Sequence, residues 1–249
     1  MRNKALKVIL AALFWLAAWF IAAKTVNSML LIPSPAVTVK ALWSLLCKKS
    51  FYSDCAFSLL RVLSAWLGGM LAGTLLAVIT SLSSAANTLL SPALGIIKAT
   101  PVASFIILAL VMMKTSFVPV FTSALIVIPV VWANISKGVS SPDPKLLEMA
   151  SAFNMKRTKK LKVIYIPAVM PYFSAAATTS MGLAWKSCIA AEVIASPNGS
   201  IGAGIQNAKI YLETPELFAW TLVIILFSMA FEKLIAFVIG RSMKKDDTP

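Results

Sequence analysis

Histidine is absent from all 249 residues. That removes a His-ligated metal site and a Ser-His-Asp triad from consideration. Acid is scarce, with 9 Asp and Glu against 23 Lys and Arg. Charged residues make up only 13% of the chain, where a soluble domain carries about 25%. No G-x-x-x-x-G-K-[ST] run occurs, so the chain has no phosphate loop with which to hydrolyse ATP. A soluble basic face with interleaved aromatics is also missing, which argues against a nucleic-acid partner. Three cysteines are too few for a disulfide framework. Cys188 sits in an apolar stretch and reads as a small core residue. Cys47 and Cys55 lie close together in a polar stretch, and the pair reads either as a disulfide on an oxidising face or as two free thiols.

Apolar residues are abundant at 59%, and mean hydropathy is +0.85. Water does not solvate such a chain as a monomeric globule; lipid does. At about 20 apolar residues per span, the length accommodates roughly six membrane helices. The apolar runs fall at residues 6–23, 57–81, 89–113, 117–136, 168–195 and 217–240. The first reads as a retained helix and not as a cleaved leader, because it is long and lacks a small-residue exit before Lys24. Residues 24–56 read as the longest loop, with 37–46 as an amphipathic helix lying along the membrane. The second run is rich in small residues, which let helices approach closely in lipid. Arg61 near its start is placed to snorkel or to bond loop carbonyls. The third run carries Lys98 and Pro101, and a break near Thr100-Pro101 is expected. Such a break marks either a translocation path or a packing kink. Residues 196–215 are too short and mixed to span, and read as a turn, a short re-entrant or surface helix, and a second turn.

Orientation follows from the cations. With the N-terminus inside, the inner segments hold Arg2, Lys4, Lys7, Lys137, Lys145, Lys156, Arg157, Lys159, Lys160, Lys162, Arg241, Lys244 and Lys245. The outer segments hold Lys24, Lys40, Lys48, Lys49, Lys114 and Lys209. Thirteen against six places both termini and the 137–162 loop in the cytoplasm.

That loop is the one strongly polar interior stretch. Asp143-Pro144 is a helix start, with Asp as N-cap and Pro at the first helical position. Leu146, Leu147, Ala150 and Phe153 recur at helical spacing. Asn154 is suited to the left-handed residue that ends a helix. A basic helix restarts at Lys156 and Pro167 closes it. The alternative is a solvated linker, but the apolar positions argue for a short helix that needs a partner.

At these residues the sequence resembles a family. Glu148-Met149-Ala150, three residues, Asn154, nine residues, Ile164, one residue and Ile166-Pro167 reproduce the spacing of the EAA loop of ABC importer permeases. Met149 replaces the second Ala of that pattern, Asn154 its Gly and Ile166 its Leu. The likeness extends over roughly 58–241 and is similar to the nitrate/sulfonate/taurine-type branch. It implies an all-α integral membrane protein with about six transmembrane helices and a cytoplasmic coupling helix, like a type I ABC importer permease. By that resemblance residues 1–56 form a first helix and external loop. Residues 57–241 form a five-helix permease core with its coupling loop at 137–167, and 242–249 a cytoplasmic tail.

The resemblance further implies a multi-pass protein of the bacterial cytoplasmic membrane. Its partners would be a second permease copy, most simply identical, two cytoplasmic ABC ATPase subunits and an extracytoplasmic solute-binding protein. ATP and Mg²⁺ would be bound by the ATPase partner, and this chain would need no cofactor. Glu148, Met149, Ala150, Phe153, Asn154, Ile164 and Pro167 would couple to the ATPase. The substrate would be a small sulfonate, a nitrate-like anion, or a vitamin or its precursor.

Pro101, Trp185, Lys186 and Glu192 are candidates for the translocation path. Ionisable groups at membrane depth are functional by default. Glu192 reads equally as a structural charge, paired or solvated near the outer end of its helix, and Trp185 as a packing residue. Lys186 and Glu192 are six positions apart and do not share a helix face. An ion-coupled secondary carrier is the alternative function, although no repeat relates the two halves. A membrane-embedded enzyme finds no nucleophile or metal cluster to support it.

Overall fold

The polar stretch that follows Lys48 winds into a helix. Its side chains explain why: Phe51, Cys55, Ser58, Val62, Ala65, Gly69, Gly73, Ala77 and Thr80 are all buried. Their spacing of three and four residues makes one continuous stripe along a helix. In the computed structural model, which describes residues 2–246, this helix runs Lys49–Leu82. The long loop read at 24–56 is therefore reduced to two short links, because the polar residues of 49–55 fall on the outer side of a helix whose inner side is already core. The same geometry corrects the disulfide reading. Cys55 is buried on the core stripe while Cys47 is exposed at the end of the preceding helix, and the two are unbonded.

The described residues form eleven α-helices and no strand. α1 is Arg2–Val26, α2 Pro35–Leu46, α3 Lys49–Leu82, α4 Ser84–Ala99, α5 Val102–Met112 and α6 Val118–Val139. α7 is Pro144–Ala152, α8 Arg157–Lys160, α9 Ile166–Ala195, α10 Ile201–Ile210 and α11 Thr214–Asp246. Five segments among the described residues are long and apolar enough to cross a bilayer: Ile9–Val26, Lys49–Leu82, Val118–Val139, Arg157–Ala195 and Thr214–Ile235. The bent pair α4 and α5 supplies a sixth. They meet at 103°. The cause is local: Pro101 forces Thr100 into extended backbone, at φ −78° and ψ 133°. The side chains of Arg2, Lys4, Arg241, Lys244 and Lys245, which carry part of the cation asymmetry, lie outside the described set, as do residues 247–249 of the expected tail.

The centre of the fold is α3, α6 and α9. Small residues bring them together. A Cβ on Gly73 would lie 2.7 Å from Val131 Cβ and 2.8 Å from the Ile128 carbonyl oxygen. Hydroxyls and indoles then bridge the helices, where lipid offers no competing water. Trp132 donates to Thr80 at 2.9 Å, Trp66 to Ser180 at 3.0 Å, and Ser123 to the Ala184 carbonyl at 2.9 Å. α11 closes one flank of α9, and α2 packs on α11. α1 stays peripheral. Its Trp19 stacks on Phe218 at 5.9 Å and donates to the Pro33 carbonyl.

The C-terminal end of α9 is held by a buried charge cluster. Glu192 is fully buried. Arg61 of α3 donates to its Oε1 at 3.0 Å, and Ser58 donates to its Oε2 at 2.7 Å. The Gly202 amide, in the first turn of α10, donates to Oε2 at 3.3 Å. The Ile201 amide donates to Ser58 Oγ at 2.9 Å. An anion at a helix N-terminus is stabilised by the unpaired amides and the helix dipole. Arg61 also reaches the Gly199 carbonyl at 2.9 Å. α10 is thus a short helix between two turns, as expected for residues 196–215, and its N-terminal end is buried and tied to α3 and α9.

Two outcomes follow for stability. Gly73→Ala forces the α3–α6 backbones apart and should cost about 1–3 kcal/mol. Gly68→Ala meets nothing within 4 Å and should be neutral; thermal melts in detergent of both variants check this. Glu192→Ala leaves the Arg61 guanidinium without its counter-charge and should cost about 3–5 kcal/mol. Adding Arg61→Ala should recover part of that loss, so the double mutant falls short of the sum of the singles.

Candidate functional site

The segment between α6 and α9 is built by local rules. Asp143 Oδ1 accepts from the Lys145 amide at 2.9 Å, and Pro144 takes the first helical turn. α7 then runs nine residues. It ends in a Schellman turn: the Met155 amide donates to the Ala150 carbonyl at 2.9 Å, and the Asn154 amide to the Ser151 carbonyl at 3.0 Å. Asn154 adopts the left-handed conformation this closure needs, with φ 48°. The chain reverses and re-enters helix at Arg157.

Pro167 was expected to end that second helix, and it does not. Residues Leu161–Tyr165 form a π turn, and the run continues unbroken into α9. Pro167 falls in the first turn of α9. The wider turn just before it admits a residue with no N–H to donate. Residues 157–195 therefore form one continuous helical rod.

The side chains of the loop divide by exposure. Ala150 is 1% exposed, and Ile164 is buried. Leu146, Met149 and Phe153 are exposed, Phe153 at 77%. These three are spaced at i, i+3 and i+7 and form one apolar edge on a nine-residue helix. Glu148 is exposed and makes no ion pair among the described residues. Pro167 is exposed. Lys156, Arg157, Lys159 and Lys162 are exposed along the returning arm.

The four path candidates are not brought together. Pro101 is exposed at the α4–α5 break. Trp185 is buried, stacked on Phe231 at 5.7 Å and tilted against Phe227 at 5.9 Å. Glu192 is in the charge cluster. Lys186 is exposed, on a different face of α9 from both. The exposed residues of α9 are Ile166, Pro167, Pro171, Ala175, Thr179, Lys186, Ala190 and Ile194; between the two isoleucines they are small or polar, inside a membrane-length helix.

Sequence reasoning missed the partners. Arg61 was expected to bond loop carbonyls, and it does at Gly199, but its pairing with Glu192 spans 131 residues. Ser58 and Arg61 share a helix face by their i, i+3 spacing, which was the available hint. Glu232, near the middle of α11, also faces α9, with its carboxylate beside Gly182.

Comparison with known proteins bears directly on this arrangement. The family model of the binding-protein-dependent transport system inner membrane component matches residues 69–244. The chain is 24% identical over 216 residues to the putative aliphatic sulfonates transport permease protein SsuC of Bacillus subtilis (strain 168), covering 86% of this chain and 76% of that one. It is 23% identical over 222 residues to the taurine transport system permease protein TauC of Escherichia coli (strain K12), covering 86% and 80%. It is 23% identical over 161 residues to the bicarbonate transport system permease protein CmpB of Synechococcus elongatus, covering 64% and 58%. In fold it resembles a chain in a crystal structure of an amino acid ABC transporter with histidines, at TM-score 0.66 and 17% identity, covering 77% of this chain and 94% of that one. The ion-coupled carrier reading is set aside by the family match. An all-helical, multi-pass chain with this loop, matched over most of its length, belongs to the binding-protein-dependent transport system inner membrane component family and is a permease subunit of the ABC import type.

Proposed function

We propose that this chain forms the substrate path of an ATP-driven importer of the cytoplasmic membrane and receives its power stroke through α7. The observation that carries the reading is the short helix itself. Nine residues are too few to be stable alone. Yet α7 is capped at both ends and presents Leu146, Met149 and Phe153 outward. A groove on a cytoplasmic ATPase is the cover such an edge needs. Glu148 is free to meet a cation there, and buried Ala150 keeps the helix slim. Asn154 sets the angle of return. Ile164 seats the returning arm, and Pro167 starts the rod.

Two copies of the chain face one another across the path, and each docks one ATPase subunit. ATP and Mg²⁺ are held by the ATPases; this chain binds neither. An extracytoplasmic binding protein delivers the solute, a small organic or inorganic anion such as a sulfonate, or a vitamin-like precursor. Closure of the ATPase pair moves the two α7 helices together and biases the path between its inward and outward states. Of the residues expected at the path, we assign Lys186 to its wall, Pro101 to the bend beside it, and Trp185 and Glu192 to the support behind α9.

Both termini and Lys156 lie in the cytoplasm on this reading, and Lys40 and Lys209 outside. Single cysteines at these positions, in a background lacking Cys47, Cys55 and Cys188, should label from outside at 40 and 209 only; labelling at 156 in intact cells overturns the topology.

Coupling makes a separate prediction. Asn154→Val places a β-branched residue at positive φ, costing about 1–2 kcal/mol in that conformation. Ala150→Trp fills a buried position on α7. Both should still insert with the same topology, at some cost in stability that is larger for Ala150→Trp, yet lose substrate-stimulated ATP hydrolysis and uptake to background and release the ATPase on purification. Asn154→Gly should match the wild type, because Gly adopts this conformation freely. Full coupled transport by Asn154→Val sinks the assignment of this loop.

A further inference from the structure

The end of the bundle that carries α7 holds a second feature, which the coupling does not use. Three close approaches fix which helix ends meet there. Gly69 lies against Val127 and Gly73 against Val131, so α3 and α6 run in the same direction. Gly138, near the end of α6, lies against Val169 and Tyr172, near the start of α9. The C-terminal ends of α3 and α6 and the N-terminal end of the rod therefore lie together.

Between them is a cavity of about 440 Å³, within the size range of ligand sites. One wall is the end of α3, where Val78, Ser81 and Leu82 share a face by their i, i+3 and i+4 spacing. The other is the returning arm, where Arg157, Lys160 and Leu161 have the same spacing and Tyr165 follows in the π turn. Val78, Leu82 and Leu161 are exposed, Leu82 at 84%. Arg157 is exposed and Lys160 half-buried. Neither cation joins an ion pair among the described residues. No acidic residue among them lines the cavity. The Ser81 and Tyr165 hydroxyls donate no hydrogen bond among the described residues.

The lining asks for two chemistries at once. Water satisfies the cations and not the leucines, and hydrocarbon does the reverse. A small anion pairs with Arg157 and Lys160 but leaves the apolar side chains wet. A phospholipid has both parts, an anionic phosphate and apolar acyl chains, and a membrane-spanning chain is always surrounded by it. A headgroup that also carries an ammonium is disfavoured, because two cations face it and no acid receives it. The depth fits as well. α3 has 34 residues, about 51 Å of helix against a hydrocarbon core of about 30 Å. The cations of residues 156–162 mark this end as lying at the headgroups, since lipid tails are a poor cover for charge. Basic pockets between membrane helices hold anionic headgroups by the same pairing.

We infer that the cavity between α3 and the returning arm is a binding site for an anionic phospholipid, whose phosphate pairs with Arg157 and Lys160 and whose acyl chain lies on Val78, Leu82 and Leu161. A lipid there bridges α3 to the arm that leads from α7. Leu146, Met149 and Phe153 do not line the cavity, so the site needs a membrane and no ATPase.

The test places the full chain in phosphatidylcholine nanodiscs with a minor share of photoactivatable phosphatidylglycerol. Mass spectrometry of the digested protein then locates and quantifies the cross-links. Labelling should concentrate on peptides holding residues 78–82 and 157–165. Unlabelled phosphatidylglycerol should compete it away; added phosphatidylcholine and free sn-glycerol 3-phosphate should not. Arg157→Gln and Lys160→Gln should each weaken phosphatidylglycerol binding about fivefold, and the double variant about 25-fold. Lys160→Arg should retain binding. Both positions lie outside the core, where substitutions shift stability by only about 0.5 kcal/mol. The double variant Lys159→Gln with Lys162→Gln removes the same charge from the same arm without touching the lining, and it should bind as the wild type does. Equal loss in that control means diffuse surface attraction and overturns the proposal. Competition by phosphatidylcholine, or by glycerol phosphate as effectively as by the lipid, overturns it too. So does release of a co-purified ATPase by Arg157→Gln with Lys160→Gln while lipid labelling is unchanged, because the two cations then serve a protein partner.

Discussion

The Glu192 carboxylate is the constraint on which the packing of α10 and of the C-terminal end of α9 depends. It has no exposed surface, and a bare carboxylate in such a place is very costly. Three donors from two other elements make it tolerable: Arg61 and Ser58 from α3, and the Gly202 amide from α10. Each donor fixes a distance. Together they set the position of α10 against α9 and the register of α3 against both. Gly202 is required because a Cβ there would collide with Glu192 itself. Breaking any one donor leaves a buried charge in deficit, which is why the cluster behaves as a unit.

This clamp divides α9 into two faces with different tasks. The inner face carries Trp185, Cys188 and Glu192, all buried among α3, α6 and α11. The outer face carries Thr179, Lys186 and Ala190. A soluble helix would put its charges on the second face and nothing polar on the first. Here the first face holds a paired charge and the second a solitary one. The difference reflects the solvent: at membrane depth a charge needs either a protein partner or a water-lined path.

Much of this was legible in the residues alone. Six apolar runs, the break at Thr100-Pro101, the Asp143 cap and the Asn154 turn are all short-range consequences of residue type, and the structure shows each of them. What was not legible is what depends on distant partners. Cys55 looked like a loop residue because its neighbours Lys49, Ser53 and Asp54 are polar; only the buried stripe of α3 reveals that it faces inward. Pro167 looked like a terminator, and the π turn before it removes that role. Glu192 and Lys186 were separable by their spacing, but Arg61, Ser58 and Glu232 are forty or more residues from them, and no local pattern joins them. The coupling loop was readable because its elements are contiguous; the cavity between α3 and the returning arm was not, because its two walls lie far apart in the chain.

Continuity of the helix from residue 157 to 195 gives the proposed coupling its mechanical basis. At 1.5 Å per residue the rod is about 58 Å long, longer than the hydrocarbon core is thick. Its N-terminal end joins α7 through a reversal of four residues, tightened by the Schellman bonds at Ala150 and Ser151. Its C-terminal end is fixed by the Glu192 cluster. A displacement of α7 therefore cannot be absorbed in a flexible linker, since the link is hydrogen-bonded and the rod does not fray. It is also not free to translate the whole helix, since the C-terminal end is held. On the proposed coupling, what remains is a tilt about the clamped end, which displaces each part of α9 in proportion to its distance from Glu192. Thr179 and Lys186 lie on the exposed face of α9 between α7 and that pivot, so on the same proposal they shift against their surroundings without breaking a side-chain hydrogen bond among the described residues.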